Sequence, residues 1–158
     1  MRDSIKTGIS FGLTSGIITT LGLMIGLNAG TGLKLAVIGG ILTIAIADAF
    51  SDSLGIHISE ETSKRNGHKA IWEATFTTFF TKLIVTSSFI IPFLFLELSE
   101  GVIAGIIWGL ILLIIFNYIL AKNRGENPWL VIGEHVLIAI VVIVISFYVG
   151  KGISFYLR

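Results

Sequence analysis

Long apolar runs separated by short polar clusters set the pattern of this chain. A bilayer core about 30 Å thick needs roughly 20 residues of apolar helix to cross it. Five stretches reach that length: residues 5–27, 33–58, 70–96, 101–121 and 129–156. The first has no charge between Lys6 and Lys34, and the fourth has none at all. The second carries Asp48 and Asp52 in its later half, the third carries Lys82, and the fifth has Glu134 and His135 near its start. Asn28-Ala29-Gly30-Thr31-Gly32 has turn chemistry. Glu97 to Glu100 makes a tight turn, and Asn123 to Pro128 joins the last two spans. The longest connection, residues 59–69, is strongly polar. The pattern predicts an all-α polytopic membrane protein with five transmembrane helices in a single domain over residues 1–158. The first run follows only two basic residues and precedes further spans, so it reads as a retained helix and not a cleaved leader.

Composition agrees. The chain is 54% hydrophobic and 13% charged, against about 25% charged in a soluble domain. Its mean hydropathy is +0.93. So little charge cannot cover a water-exposed surface, whereas a bilayer removes that need. A net charge of +1 provides no basic patch for nucleic acid. The absence of cysteine excludes disulfides, thiolate metal sites and cysteine nucleophiles. Lysine and arginine are unevenly divided. Arg2, Lys6, Lys64, Arg65, Lys69, Lys122 and Arg124 fall on one side, and Lys34, Lys151 and Arg158 on the other. The positive-inside rule then predicts an inside N-terminus and an outside C-terminus, and for a prokaryotic chain the membrane would be the cell membrane.

Glycine recurs at helical spacing. Gly8, Gly12 and Gly16 step by four, Gly22 and Gly26 follow, and Gly101, Gly105 and Gly109 repeat the pattern. Small residues at this spacing let helix backbones approach closely in lipid. They indicate either tight packing within one subunit or a face that makes a homodimer.

The charges within the spans are the informative residues, because each costs at least about 2.5–3.5 kcal/mol at mid-bilayer. Asp48 and Asp52 share one helix face, about 6 Å apart along the axis. Two carboxylates so placed can also share a proton. Glu60 continues their stripe toward the cytosolic end, with Ser51, His57, Ser59 and Glu61 nearby. Glu73 opens the third span on the same side, as Glu134 and His135 open the fifth. Oxygen and imidazole donors without thiolates suit Mn²⁺ or Fe²⁺, while the only methionines, Met1 and Met24, disfavour copper(I). Lys82 lies about 13 Å deeper than Glu73, a depth similar to that of Asp52 above Glu60. It is therefore expected to pair with Asp52 or Asp48, as a structural ion pair or as a gate that a cation or proton displaces. For Glu60, Glu61, Glu73, His57 and His68 an ordinary solvated role weighs as much as a functional one. For His135 the ordinary role weighs more.

Taken in order, these features resemble the vacuolar iron transporter family. Ser15-Gly16-Ile17-Ile18-Thr19-Thr20-Leu21-Gly22 resembles the family's Asp-Gly-x-x-Thr-Thr stretch. Ser51-Asp52-Ser53-Leu54-Gly55-Ile56-His57-Ile58-Ser59 resembles the end of its second span. Pro92 near the end of the third span, and the last span from Asn127-Pro128-Trp129 to Gly150-Lys151-Gly152, are also similar. The resemblance covers nearly the whole chain. It implies a homodimer that exports Fe²⁺ or Mn²⁺ from the cytoplasm in exchange for protons, with no resident cofactor. The departures are specific. The family's first-span Asp is Ser15, its second-span Met falls at Asp52, its second-span Glu falls near Ile44, and its cytosolic metal-binding insert is reduced to residues 59–69.

The expected function is therefore a divalent-cation transporter and not an enzyme. Asp48 and Asp52 would form the intramembrane cation and proton site, gated by Lys82. Glu60, Glu61 and Glu73 would recruit cations at the mouth, and Ser15, Thr19 and Thr20 would offer oxygens from the first helix. His57 and Glu134 are accessory polar groups. Alternating access would come from helices rocking about glycine-rich contacts. One alternative is a non-transporting membrane scaffold with a structural Asp–Lys pair. The other is a metal-dependent lipid phosphotransferase, since Asp48-x-x-x-Asp52 resembles the end of the CDP-alcohol phosphotransferase motif. The upstream Asp-x-x-Asp-Gly-x-x-Ala-Arg of those enzymes is missing. His57, His68 and His135 form no zinc-protease motif.

Overall fold

The computed structural model describes residues 2–63 and 67–156. Met1, Lys64, Arg65 and Arg158, used above for metal choice and orientation, lie outside the described residues. The helices are α1 (Asp3–Thr31), α2 (Lys34–Ser63), α3 (His68–Ser88), α4 (Ile91–Phe95), α5 (Leu98–Arg124) and α6 (Pro128–Tyr156). With α3 and α4 taken as one span, His68–Phe95, five helices are long and apolar enough to cross a membrane. The described residues contain no strand.

The helices run further than hydropathy alone suggests. Asn28 to Thr31 belongs to α1 and is not a turn. The helix stops only at Gly32, whose φ of 63° is left-handed and whose N–H bonds Asn28 O at 3.0 Å. Glycine takes that conformation without a Cβ penalty. Similarly, α2 continues to Ser63, so Glu60 and Glu61 stand on a helix and not in a loop. Polar residues end an apolar span without ending a helix. The third span does break. Pro92 has no N–H, and its ring would crowd the Ser88 carbonyl in a continuous helix. The chain instead turns at Phe89 and Ile90, whose N–H groups reach Thr86 O at 3.2 Å and Ser87 O at 3.1 Å.

At the centre, α1 packs against α2, α3, α5 and α6. Its glycines explain how one helix serves so many neighbours. A Cβ on Gly8 would lie 2.7 Å from Ala74 O, and one on Gly12 would lie 2.9 Å from Thr78 O. Here α1 and α3 run parallel with their backbones nearly touching. Further along, Gly22 and Gly26 meet Val142 and Ser146 of α6, and Gly30 meets Gly150. These pairings also run parallel, so Asp3 and Tyr156 lie at opposite ends of the bundle. Gly105 and Gly109 of α5 receive Met24 and Leu21, while Gly101 receives Phe93. Both glycine series thus make contacts within one subunit, and Gly22, Gly26 and Gly30 also line a groove of about 560 Å³. Ile17, Leu21, Met24, Val37, Ile41 and Phe89 fill the core between them and are wholly buried.

Gly12→Ala should destabilise the protein by about 1–3 kcal/mol, as overpacking does, because the atoms in its way are α3 backbone. Gly39→Ala is the control, since nothing lies within 4 Å of its Cβ position. It should be neutral or slightly stabilising through helix propensity. Thermal unfolding in detergent compares the two.

Candidate functional site

The buried stripe of α3 runs through Ile71, Ala74, Thr75, Thr78, Lys82 and Thr86. Lys82 therefore faces the bundle and is 0% exposed. A buried ammonium needs compensating charge, and its partners come from two other helices. Lys82 Nζ donates to Ser15 Oγ of α1 at 2.8 Å and to Asp52 Oδ2 of α2. It also lies 2.5 Å from Asp48 Oδ2. Ser15 in turn donates to Asp52 Oδ2 at 2.6 Å. The serine hydroxyl is thus an acceptor for the ammonium and a donor to the carboxylate. Two of the three N–H donors of an ammonium thus make hydrogen bonds. The Asp48 contact is close but not aligned as a hydrogen bond, and its Oδ2 is buried with no other partner. It is an ion pair with little directionality.

Helix geometry produces this centre. The spacing of four puts both aspartates on one face of α2. Gly16 leaves room for the lysine stem, since a Cβ there would stand 3.4 Å from Lys82 Cγ and 3.3 Å from Thr86 Oγ1. The aspartate side chains keep 24% and 19% exposure, while the ammonium keeps none. The carboxylates form the rim and the lysine fills the interior. Two carboxylates and one ammonium leave a formal charge of −1.

The other sequence-selected residues stand apart from this centre. Thr19 donates to Ser15 O at 2.8 Å and Thr20 to Gly16 O at 2.5 Å, so both hydroxyl protons return to their own helix. Thr20 also lies 3.3 Å from the Thr86 hydroxyl. Glu73 pairs with Arg2 and accepts from Ser4 at 3.0 Å, which closes the α1–α3 seam at its N-terminal end. Thr75 commits its proton to Ile71 O at 2.8 Å, so His57 Nδ1–H is the donor in the 3.0 Å contact between them. The His57 ring rests edge-on to Trp72, with centroids 4.7 Å apart. Glu60 and Glu61 ride the last turns of α2, and Glu134 is exposed on α6. His135 bonds Val131 O of its own helix at 2.8 Å. Among the described residues, no three His, Asp or Glu side chains gather closely enough to hold a metal ion.

Sequence reasoning passed over Asn117. It is wholly buried, its Nδ2 donates to Leu113 O at 2.8 Å, and its Oδ1 has no partner. The available signal was an amide inside the charge-free fourth span. Thr86, 1% exposed, was missed for want of any charge.

No protein-family model matches the chain, and no curated protein matches it. The site is therefore read from its own chemistry.

Removing Lys82 leaves two close carboxylates without a counter-charge, whereas removing one aspartate leaves a neutral pair. Lys82→Met should cost about 3 kcal/mol, and Ser15→Ala about 1 kcal/mol. Combining Lys82→Met with Asp48→Asn and Asp52→Asn should cost less than Lys82→Met alone, because no charge remains uncompensated. Denaturant titration in mixed micelles reads this non-additivity. A triple variant less stable than the single would sink it.

Proposed function

We propose that this chain is a membrane cation transporter in which Asp48 and Asp52 hold a passing divalent cation, Fe²⁺ or Mn²⁺, in place of the Lys82 ammonium. One observation carries the reading: a wholly buried ammonium is clasped by two carboxylates from one helix and a hydroxyl from another. That arrangement is a cation site with a tethered cation in it. An ion that replaced the ammonium would find two carboxylates and the Ser15 hydroxyl, hard oxygen donors of the kind that suit these metals. Glu60 and Glu61 recruit cations at the cytosolic mouth. Glu73, engaged by Arg2, serves the α1–α3 seam instead. The inside N-terminus, export from the cytoplasm, exchange for protons and a homodimer complete the proposal, on the charge distribution and the family resemblance.

A structural scaffold is the second reading. It is favoured by the lysine's shell, two hydrogen bonds and a further ion pair around one ammonium.

Liposomes loaded with a divalent-quenched dye separate the two. Transport predicts quenching by Fe²⁺ or Mn²⁺ that responds to a pH gradient and falls at least tenfold in Asp48→Asn and in Asp52→Asn. If folded, inserted wild type admits none of Fe²⁺, Mn²⁺, Co²⁺ or Ca²⁺, the scaffold reading takes its place.

A further inference from the structure

The close backbone contacts of the bundle are unevenly shared. On α1, Gly8 and Gly12 bring it against α3 backbone, and Gly30 brings it against Gly150 of α6. On α2, Gly39 and Gly55 have nothing within 4 Å, and Gly40 meets only leucine side chains. This helix is held by other means, and they differ between its two halves.

The first half is anchored. Val37 and Ile41 are wholly buried in the core, and Lys34 Nζ donates to Leu96 O at 2.8 Å. The buried positions continue as Ala45, Ala49 and Ser53, and then stop. No residue from 54 to 63 is buried, a length of about 15 Å of helix. Alongside this half, α2 and α3 part around a groove of about 650 Å³, lined by Ser53, Leu54, His57, Trp72, Phe76 and Phe79 among others. Three contacts cross it: the His57–Thr75 hydrogen bond of 3.0 Å, the His57–Trp72 edge contact of 4.7 Å and the Phe50–Phe79 edge contact of 4.8 Å. Where the anchored half ends, Asp48 and Asp52 grip Lys82.

We propose that residues 54–63 of α2 are a hinged arm, with its pivot at Ala45–Ala49 and its latch at Lys82. The trigger rests on the cation reading of the aspartates. An ion that takes the ammonium's place removes the bond between α2 and α3, so occupancy and arm release are one event. The glycine-sealed helices α1, α3 and α6 stay fixed as the frame.

The cysteine-free sequence allows paired spin labels without background. Labels at Ser59→Cys and Lys69→Cys read the arm, and labels at Thr43→Cys and Ile91→Cys read the anchored half. All four positions are exposed. The latch is removed by the combined Lys82→Met, Asp48→Asn and Asp52→Asn changes, which leave no unpaired charge and need no metal. The arm distance should lengthen by about 5 Å or more, with the anchored pair unchanged. An arm distance equal to that of wild type, or equal shifts of both pairs, overturns the hinge. Bismaleimide cross-linking of Ser59→Cys with Lys69→Cys, with and without Mn²⁺, then tests the trigger. Opening in the latch variant without any response to Mn²⁺ upholds the arm and removes the cation reading of the site.

Discussion

The structure depends on keeping the Lys82 ammonium company in a place where water cannot. A lone charge deep in a bundle of apolar helices is tolerated only when opposite charge comes to it. That demand brings α2 to α3 at one level and draws Ser15 of α1 into the same contact. It also sets the register of α2, since a shift of one turn would leave an aspartate facing apolar side chains. Few other groups discipline α2, whose remaining buried side chains are small or aliphatic.

Two forces of different character therefore hold the bundle. Along α1 the contacts are dispersion across glycine strips, short in range and indifferent to ions. Between α2 and α3 the deepest tie is electrostatic, beside the Phe50–Phe79 and His57–Trp72 ring contacts. The first kind yields to bulk, the second to charge. A chain built this way can combine a stiff frame with one adjustable member, the combination that an alternating-access device requires.

Much of this was legible in the sequence, for physical reasons. Spans are legible because apolar length is imposed by the bilayer, and all five were found. The meeting of Lys82 with the aspartates was legible because depth follows from rise per residue. Helix ends were not: Gly30 and Gly32 are both candidate stops, and Gly30 is helical and packs on Gly150 while Gly32 ends the helix. Glycine spacing announced close contacts without naming partners, since a missing side chain carries no complementarity. The pairing of Glu73 with Arg2 was not legible, because the two residues are remote in sequence. Asn117 gave no direction at all, because a single amide does not say which helix it faces.

The glycine strip at Gly22, Gly26 and Gly30 has a further consequence, for biogenesis. Its partner, α6, is synthesised after α1, α2, α3, α4 and α5. During translation α1 therefore waits in the membrane with a bare, small-residue face, exposed to lipid or to the insertion machinery. Native-like pairing with α3 can form early, but the far side of α1 is sealed only when α6 arrives. A nascent chain stalled before α6 would carry an open seam that membrane quality control can recognise.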